Sequence, residues 1–167
     1  ELAYVNSSYQ TGLKNLLDNA ILKHEKFKPV KYKKVDEIPF DFIRKRACVV
    51  VERDRERILI AKGAPEEILK VCSSVVRDAL VEPLQETSQQ RIFQRYEELS
   101  ADGFRALGVA YRTLTEIKPA YSAGDEREMI FLGFVAFLDP PKETARESLK
   151  LLKRAGIELK IVTGDNE

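Results

Sequence analysis

The chain has 167 residues, 44% of them hydrophobic and 33% charged, enough for one soluble globular domain with a sizeable core and room for part of a second. Lys and Arg total 28 against 27 Asp and Glu, a net charge of +1, so bulk electrostatics argues against a nucleic-acid binder and any anion site must be local. No apolar run approaches membrane-spanning length and no signal peptide is visible. Cys48 lies in a Val-rich run and Cys72 near the end of a predicted helix; both read as buried thiols of a reducing compartment. His24, the only histidine, sits between Lys23 and Glu25 and reads as solvated. Glu1-Leu2-Ala3 and Thr163-Gly164-Asp165-Asn166-Glu167 look like cut ends, so a piece of a larger protein is expected.

Leu13, Leu16, Leu17, Ala20 and Ile21 recur at helical spacing and predict an amphipathic helix over 11–22. A Lys-rich segment follows, entering an extended stretch through Val30, Tyr32 and Val35 that passes Pro39, a residue barred from helix interiors. Ala47-Cys48-Val49-Val50-Val51 and Ile58 to Ala61 predict two strands joined by the charged turn Arg53-Asp54-Arg55-Glu56, an antiparallel hairpin. Pro65, Glu66 and Glu67 open a helix: the proline lacks only an N–H that has no intrahelical partner, and the carboxylates face the positive dipole end. A further helix is predicted over 88–101, stopped by Asp102-Gly103. Strands are predicted over 105–114 and 129–138, with a polar loop between them. After Asp139-Pro140-Pro141, a helix over 144–154 capped by Gly156 and a strand at 159–162 start a β/α rhythm, so a domain boundary is placed at that break.

The junction Lys62-Gly63-Ala64-Pro65-Glu66 carries the strongest chemical signal. Alternation puts Ile58, Ile60 and Lys62 on one face of their strand, and Lys45, Ala47, Val49 and Val51 on one face of its partner. A symmetric hairpin then opposes Lys45 and Lys62 at its open end, on a wet rim. Like charges facing each other cost up to about 1 kcal/mol, and a shared anion would explain the arrangement. Arg105 opens a later strand in which Leu107 and Val109 follow at a two-residue period, and Phe40 lies just upstream of Lys45. An aromatic face with two lysines and an arginine at strand ends can hold a nucleotide, ring on base and cations on phosphates. Gly63 would let the backbone approach a ligand closely. The plainer alternative stands beside this: the same string makes a good strand-to-helix turn, Phe40 a core residue and Gly63 a turn residue. Neither a phosphate-binding P-loop nor a dinucleotide fingerprint is present.

Lys62-Gly63-Ala64-Pro65-Glu66 resembles the nucleotide-domain signature of P-type ion-pumping ATPases. Glu37-Ile38-Pro39-Phe40, Asp139-Pro140-Pro141 and Thr163-Gly164-Asp165-Asn166 match further motifs of that family, in its order and approximate spacing. The segment from Asn6 to Asn15 is similar to the bacterial magnesium-transporting branch. The resemblance implies an α+β fold: residues 1–138 as a nucleotide-binding domain, an antiparallel sheet flanked by helices, and 139–167 as hinge and partial phosphorylation domain of haloacid-dehalogenase-like type. It implies ATP as ligand, with Mg2+ accompanying the nucleotide in the full enzyme. Phe40 would stack on adenine, Lys45 and Lys62 would line the pocket with Gly63, Arg105 would reach the phosphates, and Leu107 would pack near the base. Asp139, Pro140 and Pro141 would form the hinge. Thr163 and Gly164 would hold the γ-phosphate, with Asp165 nearby.

Two departures bear on the base. Phe42 stands where calcium pumps carry an arginine, and an acidic Pro-x-Glu motif on the first helix is absent, leaving Gln10 or Thr11 nearest that position; a glutamine amide offers both donor and acceptor to adenine. The phosphorylated aspartate and its Asp-Lys-Thr-Gly motif are not in the chain. No catalytic residue and no metal-ligand set is therefore assigned, and the isolated chain is expected to bind ATP, as a monomer, without turnover. Its expected partners are the phosphorylation, actuator and transmembrane domains of the same polypeptide, an integral plasma- or inner-membrane protein whose cytoplasmic side carries this domain; nucleic acid is not among them. The expected function is ATP presentation in a magnesium-transporting pump, with a calcium or proton pump as the alternative. Two readings of other classes are a basic docking module using the 26–34 and 44–46 stretches on an acidic partner or lipid surface, and a stand-alone phosphohydrolase, disfavoured because no nucleophilic Asp-x-Asp motif is present.

Overall fold

The computed structural model describes residues 1–11, 16–24, 31–138 and 143–160. Helices α1 (Leu2–Tyr9) and α2 (Leu16–His24) precede three antiparallel strands, β1 (Lys33–Asp41), β2 (Arg46–Arg53) and β3 (Glu56–Gly63). Next come α3 (Pro65–Leu69), β4 (Cys72–Arg77), β5 (Leu80–Pro83), α4 (Glu86–Ala101), β6 (Phe104–Leu114), β7 (Met129–Leu138) and α5 (Glu143–Arg154). The described strands form one seven-stranded sheet in the order β1-β2-β3-β6-β7-β4-β5. All neighbours are antiparallel except β4 and β7.

The β2–β3 hairpin forms as predicted. Arg53 pairs with Glu56, and Asp54 and Arg55 both take positive φ (53° and 68°), the two-residue turn whose twist matches its flanking strands. Asp78 and Ala79 repeat it (49° and 65°) between β4 and β5, a hairpin the sequence did not announce. Pro39 is accommodated because β1 is an edge strand, bulged on either side of its middle, and needs no ladder donor there. The predicted helix over 11–22 is seen as α2, and the remainder of that prediction at 12–15 lies outside the described residues. The helix predicted at 144–154 is α5. Gly156 follows it at φ 71°, with its N–H and that of Ile157 returning to the carbonyls of Lys153 and Leu152, a Schellman-type stop. Leu159 and Lys160 are not in a strand, and the rest of the strand expected at 159–162 lies outside the described residues, as does the break at 139–142.

Apolar residues fill both sides of the central strands. One face packs Cys48, Val50, Leu59, Ala61, Ala110 and Phe131 against Ile68 and Leu69 of α3, with Ile92 and Phe93 of α4 beside them. The other packs Val49, Val51, Ile58 and Ile60 against Val5 of α1 and Tyr32. Burial on both faces is why β2 reads as a continuous apolar run rather than an alternating one.

Candidate nucleotide site

Residues paired across antiparallel strands share a face. Lys62 pairs with Ala47 on one side and Val109 on the other. Val109 shares its face with Leu107 and Arg105, which pair with Val135 and Phe137 of β7. In β1 a bulge between Ile38 and Asp41 resets the alternation, and counted back from the Asp41–Arg46 pair Phe40 falls on the Ala47 and Lys62 face. The face occupied by α1 and α2 thus collects Phe40, Lys62, Leu107 and Arg105 at one end of the sheet. From Val109 to Arg105 the strand advances about 13 Å, room to lay a nucleotide along it.

Helix α1 closes this end. Asn6 donates to the carbonyls of Ala47 (3.2 Å) and Ile60 (2.8 Å). Beyond its C-terminus, the Thr11 N–H donates to Glu37 Oε2 at 3.0 Å, and the Thr11 hydroxyl bonds the other Glu37 oxygen. Gln10 is therefore held beside β1, three strand positions from Phe40. Its Oε1 is buried and accepts no hydrogen bond among the described residues. Phe40 is 48% exposed, with the ring of Phe42 edge-on to it at 5.4 Å.

Lys62 differs from the expectation of a wet rim opposite Lys45. It is only 4% exposed. Its ammonium pairs with the buried Asp18 of α2 and donates to Ser7 Oγ at 2.5 Å, while Ser7 Oγ donates to Asp18 Oδ1 at 2.9 Å. Burial pushes the ammonium below the ordinary lysine range, and Asp18 works against that shift. The lone cation thus already has a counter-charge within the protein. The predicted opposition of the two lysines also fails in detail. Lys45 precedes β2 in the left-handed region (φ 46°) and is exposed, so strand alternation does not extend to it.

Gly63 makes its close approach to the chain itself. A Cβ there would lie 2.3 Å from the Lys45 carbonyl oxygen and 2.5 Å from Arg46 Cβ. The next amide, Ala64 N–H, donates to that Lys45 carbonyl at 2.9 Å. The glycine therefore lets the junction after β3 press against the turn before β2. Asp139, Pro140, Pro141, Thr163, Gly164 and Asp165 lie outside the described residues.

Asp18 and Ser7 escaped the sequence reading because each sits in a polar-looking helical stretch. Their burial arises from contact with Lys62, which is 44 and 55 residues away respectively. Next to the charged end, a cavity of about 410 Å3 opens between the helix pair and β7, lined by Tyr4, Ile21, His24 and Phe137 among others. His24 is exposed, as read from the sequence. Both cysteines are free thiols; Cys48 is buried and Cys72 half-buried. No set of three His, Cys, Asp or Glu side chains placed to hold a metal ion occurs among the described residues.

The family model for the P-type ATPase cytoplasmic domain N matches residues 1–144. The chain belongs to this domain N family. Over 99% of its length, this domain N chain is 44% identical to the magnesium-transporting ATPase, P-type 1, of Escherichia coli (strain K12) and 43% identical to the protein of that name from Salmonella typhimurium (strain 14028s / SGSC 2262), and it covers 19% of each. It is 29% identical over 89% of its length to the endoplasmic reticulum-type calcium-transporting ATPase 3 of Arabidopsis thaliana, covering 16% of that protein. The chain thus spans about a fifth of the length of the curated relatives it matches. Among the described residues, no helix of this domain N is long and apolar enough to cross a membrane.

Proposed function

We propose that this domain N binds ATP at the α1/α2 end of the sheet and presents it to a phosphorylatable aspartate elsewhere in the same pump. The observation that carries the reading is the convergence, on one face and at one end, of Phe40, Lys62, Leu107 and Arg105 from three strands, with Gln10 beside them. Phe40 is free to take a base on its exposed ring. Gln10 Oε1, a buried acceptor without a donor among the described residues, suits the adenine amino group. Lys62 forms the pocket wall with its charge largely met by Asp18, while Lys45 and Arg105 face the phosphates. The work left to such a domain is positioning and electrostatic stabilisation.

The remaining assignments rest on family likeness. Residues 1–138 form the nucleotide-binding unit, and 139–167 the hinge and the start of the phosphorylation domain, with Thr163, Gly164 and Asp165 on its phosphate side. The magnesium pumps named above are the more similar relatives, which favours Mg2+ as the transported ion over calcium or protons. Mg2+ also accompanies ATP in the full enzyme, on the cytoplasmic side of a plasma or inner membrane. The docking-module reading loses its second basic stretch, because Arg44 and Arg46 both turn inward onto a buried carboxylate.

Calorimetric titration of the chain with ATP tests the site. Saturable binding without turnover is expected, and Phe40→Ala should weaken it by about tenfold, since base–aromatic stacking is worth about 1–3 kcal/mol. Arg105→Ala should weaken ATP more than adenosine. Unchanged affinity in both folded variants would sink the nucleotide site.

A further inference from the structure

On the sheet face away from the helix pair, a single buried carboxylate ties together the segments that border the proposed site. Glu126, 3% exposed, lies in the loop before β7 and receives two guanidinium groups. Arg44 pairs with its Oε1, and Arg46 Nε donates to its Oε2 at 2.7 Å. Cys48 Sγ completes the set at 3.1 Å from Oε1.

Each arginine reaches onward. Arg44 Nη2 donates to the Pro39 carbonyl at 2.7 Å, which anchors the strand end that carries Phe40. Arg46 Nη1 donates to the Glu67 carbonyl at 3.3 Å, which anchors α3 and the junction after Lys62. Between the two arginines lies Lys45, whose N–H donates to the Asp41 carbonyl at 2.7 Å and whose own carbonyl receives Ala64 N–H. Three segments distant in sequence, the β1–β2 turn, the Lys62–Pro65 junction and the loop before β7, are therefore held through one anion. Arg44 Nε also lies 3.5 Å from Asp41 Oδ2, so among the described residues the two guanidinium groups meet two carboxylates, and the cluster reaches from Glu126 to the turn itself.

Resting on the ATP reading above, we infer that Glu126 is a positioning residue for nucleotide binding: its charge holds Arg44 and Arg46, and through them sets where Phe40 and Lys45 meet the nucleotide. Glu126 itself touches no ligand, since it sits behind the sheet.

The test combines ATP titration by calorimetry with amide hydrogen exchange on the 167-residue chain. Glu126→Gln keeps the shape and removes the charge. It should lower ATP affinity at least about fivefold and speed exchange at the Lys45 and Ala64 amides, while the Leu84 amide, bonded to the Ser73 carbonyl at the far sheet edge, keeps its rate. Glu126→Asp, which keeps the charge, should recover part of the affinity. Should Glu126→Gln fail to fold, Arg44→Gln removes one connection while leaving Glu126 paired to Arg46, and a smaller effect in the same direction is expected. If the unaltered chain binds ATP and the folded variants bind it equally well, the inference fails while the nucleotide site stands. Equal losses in the Asp and Gln variants, or faster exchange at Leu84 matching that at Lys45, would overturn it too. No ATP binding by the unaltered chain would overturn the site reading and this role with it.

Discussion

The two faces of the sheet each bury a charge cluster, and the clusters are built differently. On the helix-pair face, Lys62 meets Asp18, with Ser7 bridging, and among the described residues both partners of Lys62 come from α1 or α2. On the opposite face, Glu126 serves two arginines, one of them partly exposed, and its partners come from β2 and the turn before it. The first is a buried pair that fixes helices to a strand. The second extends through Arg44 to the partly exposed Asp41 and fixes loops to one another. Buried charge thus does two jobs in one sheet: it locks the wall of the proposed pocket from one side and aligns its rim from the other.

The sharpest way to break the comparison is to remove one partner of the buried pair. Asp18→Ala leaves an ammonium buried without its counter-charge and should cost about 3–5 kcal/mol in urea unfolding. Lys62 is already depressed by burial, so losing Asp18 lowers it further. A depressed base destabilises the fold while it must carry its proton, so the variant should regain stability relative to the parent as pH rises through the lowered Lys62 value. A loss independent of pH would mean that packing, not charge, was removed. Gly63→Ala attacks the contact between the two regions. Its Cβ has backbone at 2.3 Å, and forcing the Lys45 turn outward should cost about 1–3 kcal/mol. The exposed pair Arg95–Glu98 on α4 is the control: Arg95→Ala should change stability by about 0–1 kcal/mol.

The smallest effect concerns the rim alone. The Ile43 and Arg44 amides donate to Asp41 Oδ1, holding the Asp41 carboxyl below the usual aspartate range. A lowered acid contributes its stability above the unfolded value, and that contribution disappears as pH falls through the folded one. NMR titration should therefore move the Ile43 and Arg44 amide signals together in acid, while the Ala47 amide inside β2 stays in place. Loss of all three in one step would show that the turn has no independent acid transition.

Much of this architecture was legible because it is local. The β2–β3 hairpin, α4, β6 and β7 follow from runs, periods and stop residues that lie within a few positions of each other. The β4–β5 hairpin was missed because Asp78-Ala79 adopts the left-handed turn without a glycine, and because all four β5 residues are exposed, leaving no apolar alternation to read. Helix α1 was missed because Asn6 and Ser7 look like breaks in an apolar pattern, yet both are fully buried and bonded to distant strands. Within the candidate site, alternation groups Lys62 with Ile58 and Ile60 and Arg105 with Leu107, whereas Lys45 lies in a left-handed turn and Phe40 follows a bulge, both beyond its reach. Asp18 and Glu126 could not be placed, since a buried carboxylate is defined by a partner 44 or 80 residues away and carries no local signature. Arg44 and Arg46 entered the alternative docking reading as surface cations for the same reason.

The two thiols have a practical consequence. Burial pushes Cys48 well above the usual thiol range, with Glu126 adding to the effect, and pushes Cys72 up to about 12. Both remain protonated at neutral pH, where thiolate-seeking reagents react slowly. The native chain is accordingly a quiet background for labelling. A cysteine introduced at Phe42, 88% exposed and edge-on to Phe40, would be the fast-reacting thiol, and a fluorophore attached there would probe the proposed nucleotide site without first stripping the protein of its own sulfur.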